Sequence, residues 1–523
     1  MLTPVNPQDE LALGRLIEFL SPKPLRWNRS LWSIGLVLGL HELHEACRVL
    51  HGGTLSDGAV KKICSSLQRK AGRDPALSAE EKSHLRLQIT SVPKAEGPAH
   101  FAIAQIAALL DGDYLRRWAR VVAAPEFTVE HFARSIASHV LDVGFSAQHL
   151  YRVITSHVDS TNGVTLSDIC EDLHTELTRS PRRPFEVLLA FRKPPRLAHG
   201  IPPNWLKGAD VTNWLTTHGF DTSDVRAPAG FVLTVQARDV AGAAQSAREL
   251  SDRFAARARI ALGSPLARLP WLWVAGDSDR ARHEGESRGV QVRELDREGR
   301  IFSLSTAGAG VDAAIELLAH LDESSPTAAI AGGWGAIEGL LADPSDRASA
   351  ADNLAALVAC SFPRAELTEL SYRAEKEDAG LAAQLAGLTS NRDRSRLVAQ
   401  LIRDEQFPSL RSSGDRAAVA RLKKLLSDPS RELATIKDVI AEGFHRLYRQ
   451  RNLILHGGRL DSVTLNASLR TVARLAGAGI DRITHGHYVQ SLRPLELVAR
   501  ADLSIALINK QSALSCVDLL ELV

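Results

Sequence analysis

The sequence predicts a multidomain, mainly α-helical protein with a small α+β domain at its centre. Three observations carry this expectation. The 523 residues are too many for one core and call for roughly two to four domains. Apolar residues recur with helical spacing in both flanks of the chain. Between the flanks, prolines gather at Pro181, Pro184, Pro194, Pro195, Pro202 and Pro203, and short β-rich runs replace the helical stripes.

Residues 1–180 form a helical N-terminal domain in this scheme. Its stripes are typified by Ile103, Ile106 and Leu110, spaced i, i+3, i+7. Residues 181–305 form the α+β domain. Phe185 to Phe191 and Phe231 to Val235 read as strands, Ala241 to Leu262 as an amphipathic helix, and Trp271 to Val274 as a further apolar strand. That alternation suggests a ferredoxin-like layer domain, and it holds no Gly-rich phosphate loop. Residues 306–523 return to helices, with segments near 310–321, 327–342, 348–360, 393–404, 415–427, 431–455, 464–476 and 494–509, each closed by Gly, Pro, Ser or Asp. No internal repeat is present.

Composition excludes the extreme classes. Apolar residues make up 45% and charged residues 24%, ordinary for a globular chain. A formal charge of +2 is too small to indicate a nucleic-acid partner, so such a partner must be argued from local patches. The cations are 50 Arg and 13 Lys. Cys47, Cys64, Cys170, Cys360 and Cys516 are scattered without a C-x-x-C pair, which fits a reducing compartment rather than a disulfide framework. The first residues do not resemble a signal peptide, and the most apolar run, Leu31 to Leu40, is about half a bilayer span. The expectation is a cytoplasmic protein with no membrane contact, cofactor or metal.

The most informative segment is the helix ending at His456. Its apolar stripe is Ile436, Val439, Ile440, Phe444, Leu447 and Tyr448, and one more turn from Leu447 lands on Arg451. A guanidinium on that line needs compensating partners. Arg446, Arg449 and Arg459 add charge nearby, and Gly457-Gly458 is a natural helix stop. Five residues of ideal helix rotate by roughly 500°, so Arg451 and His456 should point about 140° apart. They share a site only if the helix ends or bends before His456, or if two protomers each supply a half.

Arg451, the amide Asn452 and His456, preceded by Leu447-Tyr448 and followed by Gly457-Gly458, resemble the HEPN ribonucleases, and in particular their Apea-like bacterial defence branch. The signature there is Arg, a polar residue, a short variable run, then His. The upstream helix Trp334-Gly335-Ala336-Ile337-Glu338-Gly339-Leu340-Leu341 is similar to that branch's aromatic-then-acidic helix. The resemblance covers about the last two hundred residues. Spacing alone does not select the site, because Arg134/His139, Arg152/His157 and Arg482/His487 repeat it, and about 1.7 matches are expected by chance. Arg451/His456 alone has an amide after the Arg, a stripe leading in and a glycine stop behind.

The resemblance implies a HEPN-like helical bundle and an endoribonuclease that needs no metal. It implies cleavage by attack of the ribose 2′-hydroxyl, leaving 2′,3′-cyclic phosphate and 5′-hydroxyl ends. His456 would be the general base or acid, Arg451 the phosphate clamp, and Asn452 an orienting hydrogen-bonder. DNA, lacking the 2′-hydroxyl, should stay intact. A site shared across a two-fold implies a homodimer or larger even assembly. Toxins and abortive-infection effectors carry such domains, which implies tRNA or other cellular RNA as substrate, a phage-derived trigger or a cognate inhibitor, and a sensing or assembly role for residues 1–305.

Supporting roles are weaker. Glu338 could orient Arg451 or be a surface Glu, and Tyr448 could stack on a base or pack in the core. His485 and His487 could assist proton transfer or be satisfied loop residues. Arg446 and Arg449 could add to the phosphate field. Two competing functions stand beside the nuclease: a non-catalytic HEPN-like RNA-binding or scaffold protein, and a DNA-binding regulator using a helix-turn-helix at 135–154. His41-Glu42-Leu43-His44-Glu45 looks like a zincin helix but lacks its i, i+4 His pair.

Overall fold

A computed structural model of the chain describes residues 6–122, 127–160, 163–195, 200, 202–283, 287–303 and 309–521. It is mainly helical with one five-stranded antiparallel sheet. The start of the predicted third domain, residue 306, lies outside the described residues. The chain divides into two compact units. One, helical, comprises Met1–Asp142, Ile154–Glu171 and Arg288–Val523; the other, which holds the sheet, comprises Val143–Val153 and Asp172–Ser287. The sequence separates residues 1–180 from 306–523, whereas most of both share one unit. Long-range pairing of this kind leaves no mark in local periodicity.

In the sheet unit, β1 (Arg183–Phe191) is central. It pairs with β3 (Ala229–Ala237) on one side and β4 (Arg268–Val274) on the other. β2 (Trp205–Lys207) and β5 (Ala281–Arg282) form the edges, in the order β2-β3-β1-β4-β5. Strand alternation sends Val187 and Leu189 to a face covered by Ala243, Ala244 and Ala247 of the Val240–Leu262 helix. Leu188, Ala190 and Trp273 face Val211 and Leu215 of the Gly208–Thr217 helix. Both faces are therefore covered, and the first helix follows β2 rather than β1. A ferredoxin-like layer would have its helices on one side; the continuously apolar run Val187 to Phe191, with no polar face, is what a sheet covered twice requires.

In the helical unit the 29-residue Ser349–Glu377 helix is the axis. Ala350, Leu354, Leu357, Val358, Leu367 and Leu370 are all fully buried. The sequence expectation stops this helix near 360 because of Pro363, yet it runs through. One lost backbone hydrogen bond is outweighed by burial along both sides. Packed on it is the Pro429–Leu455 helix. Asp428 caps its start by accepting from the Arg431 N–H, and Pro429 occupies the first turn, where a missing N–H costs nothing. The N-terminal helix Pro7–Leu20 packs against Val129–Asp142 and Ser413–Ser427. Buried ion pairs knit these parts: Arg29 to Asp415 (2.5 Å) and Glu366 (3.2 Å), and Arg15 to Glu130 (3.0 Å). Among the described residues no helix is long and apolar enough to cross a membrane.

Candidate active site

The Pro429–Leu455 helix ends with His456 as its C-cap. Gly458 adopts φ 61°, a left-handed turn that suits glycine, and its N–H returns to the Ile454 carbonyl at 3.2 Å. The Arg459 N–H returns to Leu453 at 3.0 Å. A Cβ on Gly457 would sit 2.7 Å from the Leu453 carbonyl oxygen, so both glycines serve the stop.

At this end the two sequence-predicted residues meet within one chain. Arg451 Nη1 lies 2.8 Å from His456 Nε2 and donates to Asn452 Oδ1 at 3.0 Å. The backbone stays helical through Leu455, so no bend closes the 140° expected between them. The long arginine stem spans the gap. Neither a kink nor a second protomer is needed for the contact. A guanidinium has no acceptor, so Nε2 must accept, and the ring proton then sits on Nδ1. His456 is exposed, Arg451 half-buried and Asn452 buried. A solvent-open imidazole with an unprotonated nitrogen against a guanidinium can take a proton from a substrate whose phosphate holds the arginine.

Behind this surface the helix is fixed by acids from the Leu36–His51 helix. Glu42 accepts from Arg449 Nη2 (2.6 Å) and Arg446 Nε (3.1 Å). Burial by itself would raise the Glu42 carboxyl, but Arg446 and Arg449 hold it below the usual carboxylate range. Arg446 also reaches Glu442 (2.8 Å), which Lys70 engages at 2.6 Å. Arg446 and Arg449 are thus consumed in the interior and offer nothing to a phosphate. Three residues beyond Glu42, Glu45 accepts from the Ser462 hydroxyl (2.7 Å) and Arg459 Nη2 (3.1 Å). Gln450 Nε2 donates to Ser462 and Thr464 at 2.9 Å each, tying the loop after the glycines to the helix. Burial pushes the Glu45 carboxyl up, against the opposing pull of Ser462 and Arg459.

From sequence, the segment holding Glu42 and Glu45 looks like a zincin helix that lacks its His pair. The available signal is two acids at i, i+3 within an apolar helix, because carboxylates on a buried face require cations. Among the described residues no group of three or more His, Cys, Asp or Glu is arranged to hold a metal.

The supporting residues have partners of their own. Glu338 accepts from Trp334 Nε1 (2.5 Å) and pairs with Arg347 (3.3 Å). Tyr448 packs on the Trp334 ring, centroids 4.8 Å apart. His485 and His487 belong to the Leu465–Tyr488 helix rather than a loop. His485 Nδ1 is 2.7 Å from Glu294, and His487 packs on Tyr488. Of the repeated spacings, Arg134 is held by Glu130 (2.6 Å) and stacks over Trp32. Arg482 donates to the Leu520 carbonyl at 2.6 Å.

Comparison with protein-family models, curated proteins and solved structures finds no match for the chain.

Proposed function

We propose that this protein is a HEPN-type endoribonuclease that works without a metal, with Arg451, Asn452 and His456 as its active site. The observation that carries the proposal is the 2.8 Å approach of Arg451 Nη1 to His456 Nε2 at an exposed helix end. An RNA phosphodiester draws the guanidinium fork onto its oxygens, which frees Nε2. His456 then accepts the 2′-hydroxyl proton while the 2′-oxygen bonds to phosphorus and the bond to the 5′-oxygen breaks. The departing 5′-oxygen takes a proton from a solvent water, His456 gives its own back to the hydroxide so formed, and Arg451 balances the charge of the crowded phosphorane. Asn452 steadies the arginine.

Leu455, Leu460 and Val463, next to or shortly after the pair in sequence, are exposed. An apolar rim of this kind suits a second copy of the chain, in keeping with a two-fold arrangement of HEPN-like bundles. The role that fits is a conditional toxin or abortive-infection effector, cutting tRNA or other cellular RNA on a phage-derived cue or on release from an inhibitor.

The test is incubation of purified protein with total tRNA and with a single-stranded RNA in EDTA, followed by end mapping. Cyclic-phosphate and 5′-hydroxyl ends are expected, and they should disappear in His456→Ala and Arg451→Ala. A folded wild type that leaves every RNA intact, alone and in phage-challenged cells, would mark the pair as a helix cap and sink the proposal.

A further inference from the structure

The helical unit contains a cavity that plays no part in the Arg451–His456 pair. It encloses about 790 Å³, within the range of sites for small organic ligands. Its walls come from residues 32–36, the Asp57–Arg73 and Val129–Asp142 helices, and the first half of the Pro429–Leu455 helix. Trp32, Ile34, Phe362, Ile436 and Val439 supply an apolar side.

Cations outnumber acids around it, seven Lys and Arg against five Asp and Glu. Lys70, Arg134, Arg421 and Lys424 are matched by Glu442, Glu130, Glu130 again and Glu432. Arg69, Arg73 and Arg431 are exposed, and among the described residues they carry no ion pair. Arg134 Nη1 and Arg421 Nε are buried nitrogens without a hydrogen-bond partner. Buried donors are nearly always satisfied, and both of these arginines line the cavity.

We propose that this cavity binds a phosphorylated small molecule of nucleotide size, its anionic end held by Arg69, Arg73 and Arg431 and its ring body against the Trp32, Ile436 and Val439 side. Guanidinium groups favour phosphate over simpler anions because their fork matches two oxygens. The volume and apolar wall exceed what inorganic phosphate would use. The cavity also touches the candidate site's support, since Glu442 lines it and binds Arg446, which shares Glu42 with Arg449. Binding itself does not depend on the nuclease assignment.

Isothermal titration of the full-length protein with each of the four ribonucleoside 5′-triphosphates is the direct experiment. At least one should bind saturably, and its affinity should fall by roughly tenfold or more in Arg73→Glu/Arg431→Glu. Both positions are exposed, so the variant's melting temperature should stay near wild type. Affinity should also weaken as salt rises, and His456→Ala should leave it unchanged. Absence of saturable binding by all four at about 1 mM, or affinity untouched in the double variant, overturns the proposal. Binding of a short oligoribonucleotide without any mononucleotide also overturns it, assigning the groove to RNA instead.

Discussion

Glu42 receives Arg449 at 2.6 Å and Arg446 at 3.1 Å, so one carboxylate near the start of the chain neutralises two guanidinium groups more than four hundred residues later. Its surroundings are closed to water, since Glu42, Arg446 and Arg449 are all buried. Removing the acid leaves Arg446 paired with Glu442 and breaks the ion pair of Arg449. Breaking one side of a buried pair typically costs about 3–5 kcal/mol. Glu42→Gln should therefore lower stability by that order in denaturant melts, while Glu338→Gln, half-buried and outside the network, should change it far less.

Acid should act on Glu42 and Glu45 in opposite senses. The Glu42 carboxyl sits below its ordinary value of 4.5, so its stabilisation is full above that value and disappears as pH falls toward the folded-state value. The Glu45 carboxyl sits above 4.5, so the folded state binds its proton more readily than the unfolded chain. Ionising it weakens folding as pH rises through that window. Glu45→Gln should gain stability relative to wild type as pH rises above 4.5, and Glu42→Gln should lose most at neutral pH. Urea melts across that range read both signs; parallel curves for the two variants would contradict the assignment.

Cleavage should separate from stability at the helix end. His456 is exposed and Arg451 only half-buried, so alanine at either should shift stability by no more than about 0.5 kcal/mol. Loss of proton transfer or phosphate clamping should lower the cleavage rate by about 10²–10⁴-fold. Arg451→Lys should recover little, because an ammonium cannot hold an amide and two phosphate oxygens in one plane.

Gly458 offers a backbone test of the same site. At φ 61° a β-carbon costs about 1–2 kcal/mol. Gly458→Ala should destabilise by that amount and slow cleavage by loosening His456 relative to Arg451. Gly458→Asn, which tolerates left-handed backbone better, should recover part of both.

The legible part of the site was what local chemistry records. A stripe from Ile436 to Tyr448, an amide after Arg451 and a glycine pair after His456 are readable because periodicity and capping act within a few residues. The Leu465–Tyr488 helix was cut short near 476 by its glycines. In the structure they admit close neighbours, a Cβ on Gly477 falling 2.7 Å from the Gln291 nitrogen and one on Gly479 falling 2.2 Å from Leu354. Contacts of that kind, like Glu42 with Arg449, join residues far apart in sequence, and neither partner announces the other. Likewise the three longer strands between Phe185 and Val274 could be found one by one, while the short strand Trp205–Lys207 and the helices on both faces of the sheet could not. A mainly helical chain with a small sheet was readable; the merging of the two flanks into one unit was not.

The Glu42 clamp also orders events during synthesis. A growing chain presents Glu42 and Glu45 hundreds of residues before Arg446, Arg449 and Arg459 leave the ribosome. Until then the acids of the Leu36–His51 helix have no cation from that far segment and cannot settle into a dry interior. The dry interior around these acids would in this way be completed only once residues 446–459 have been made.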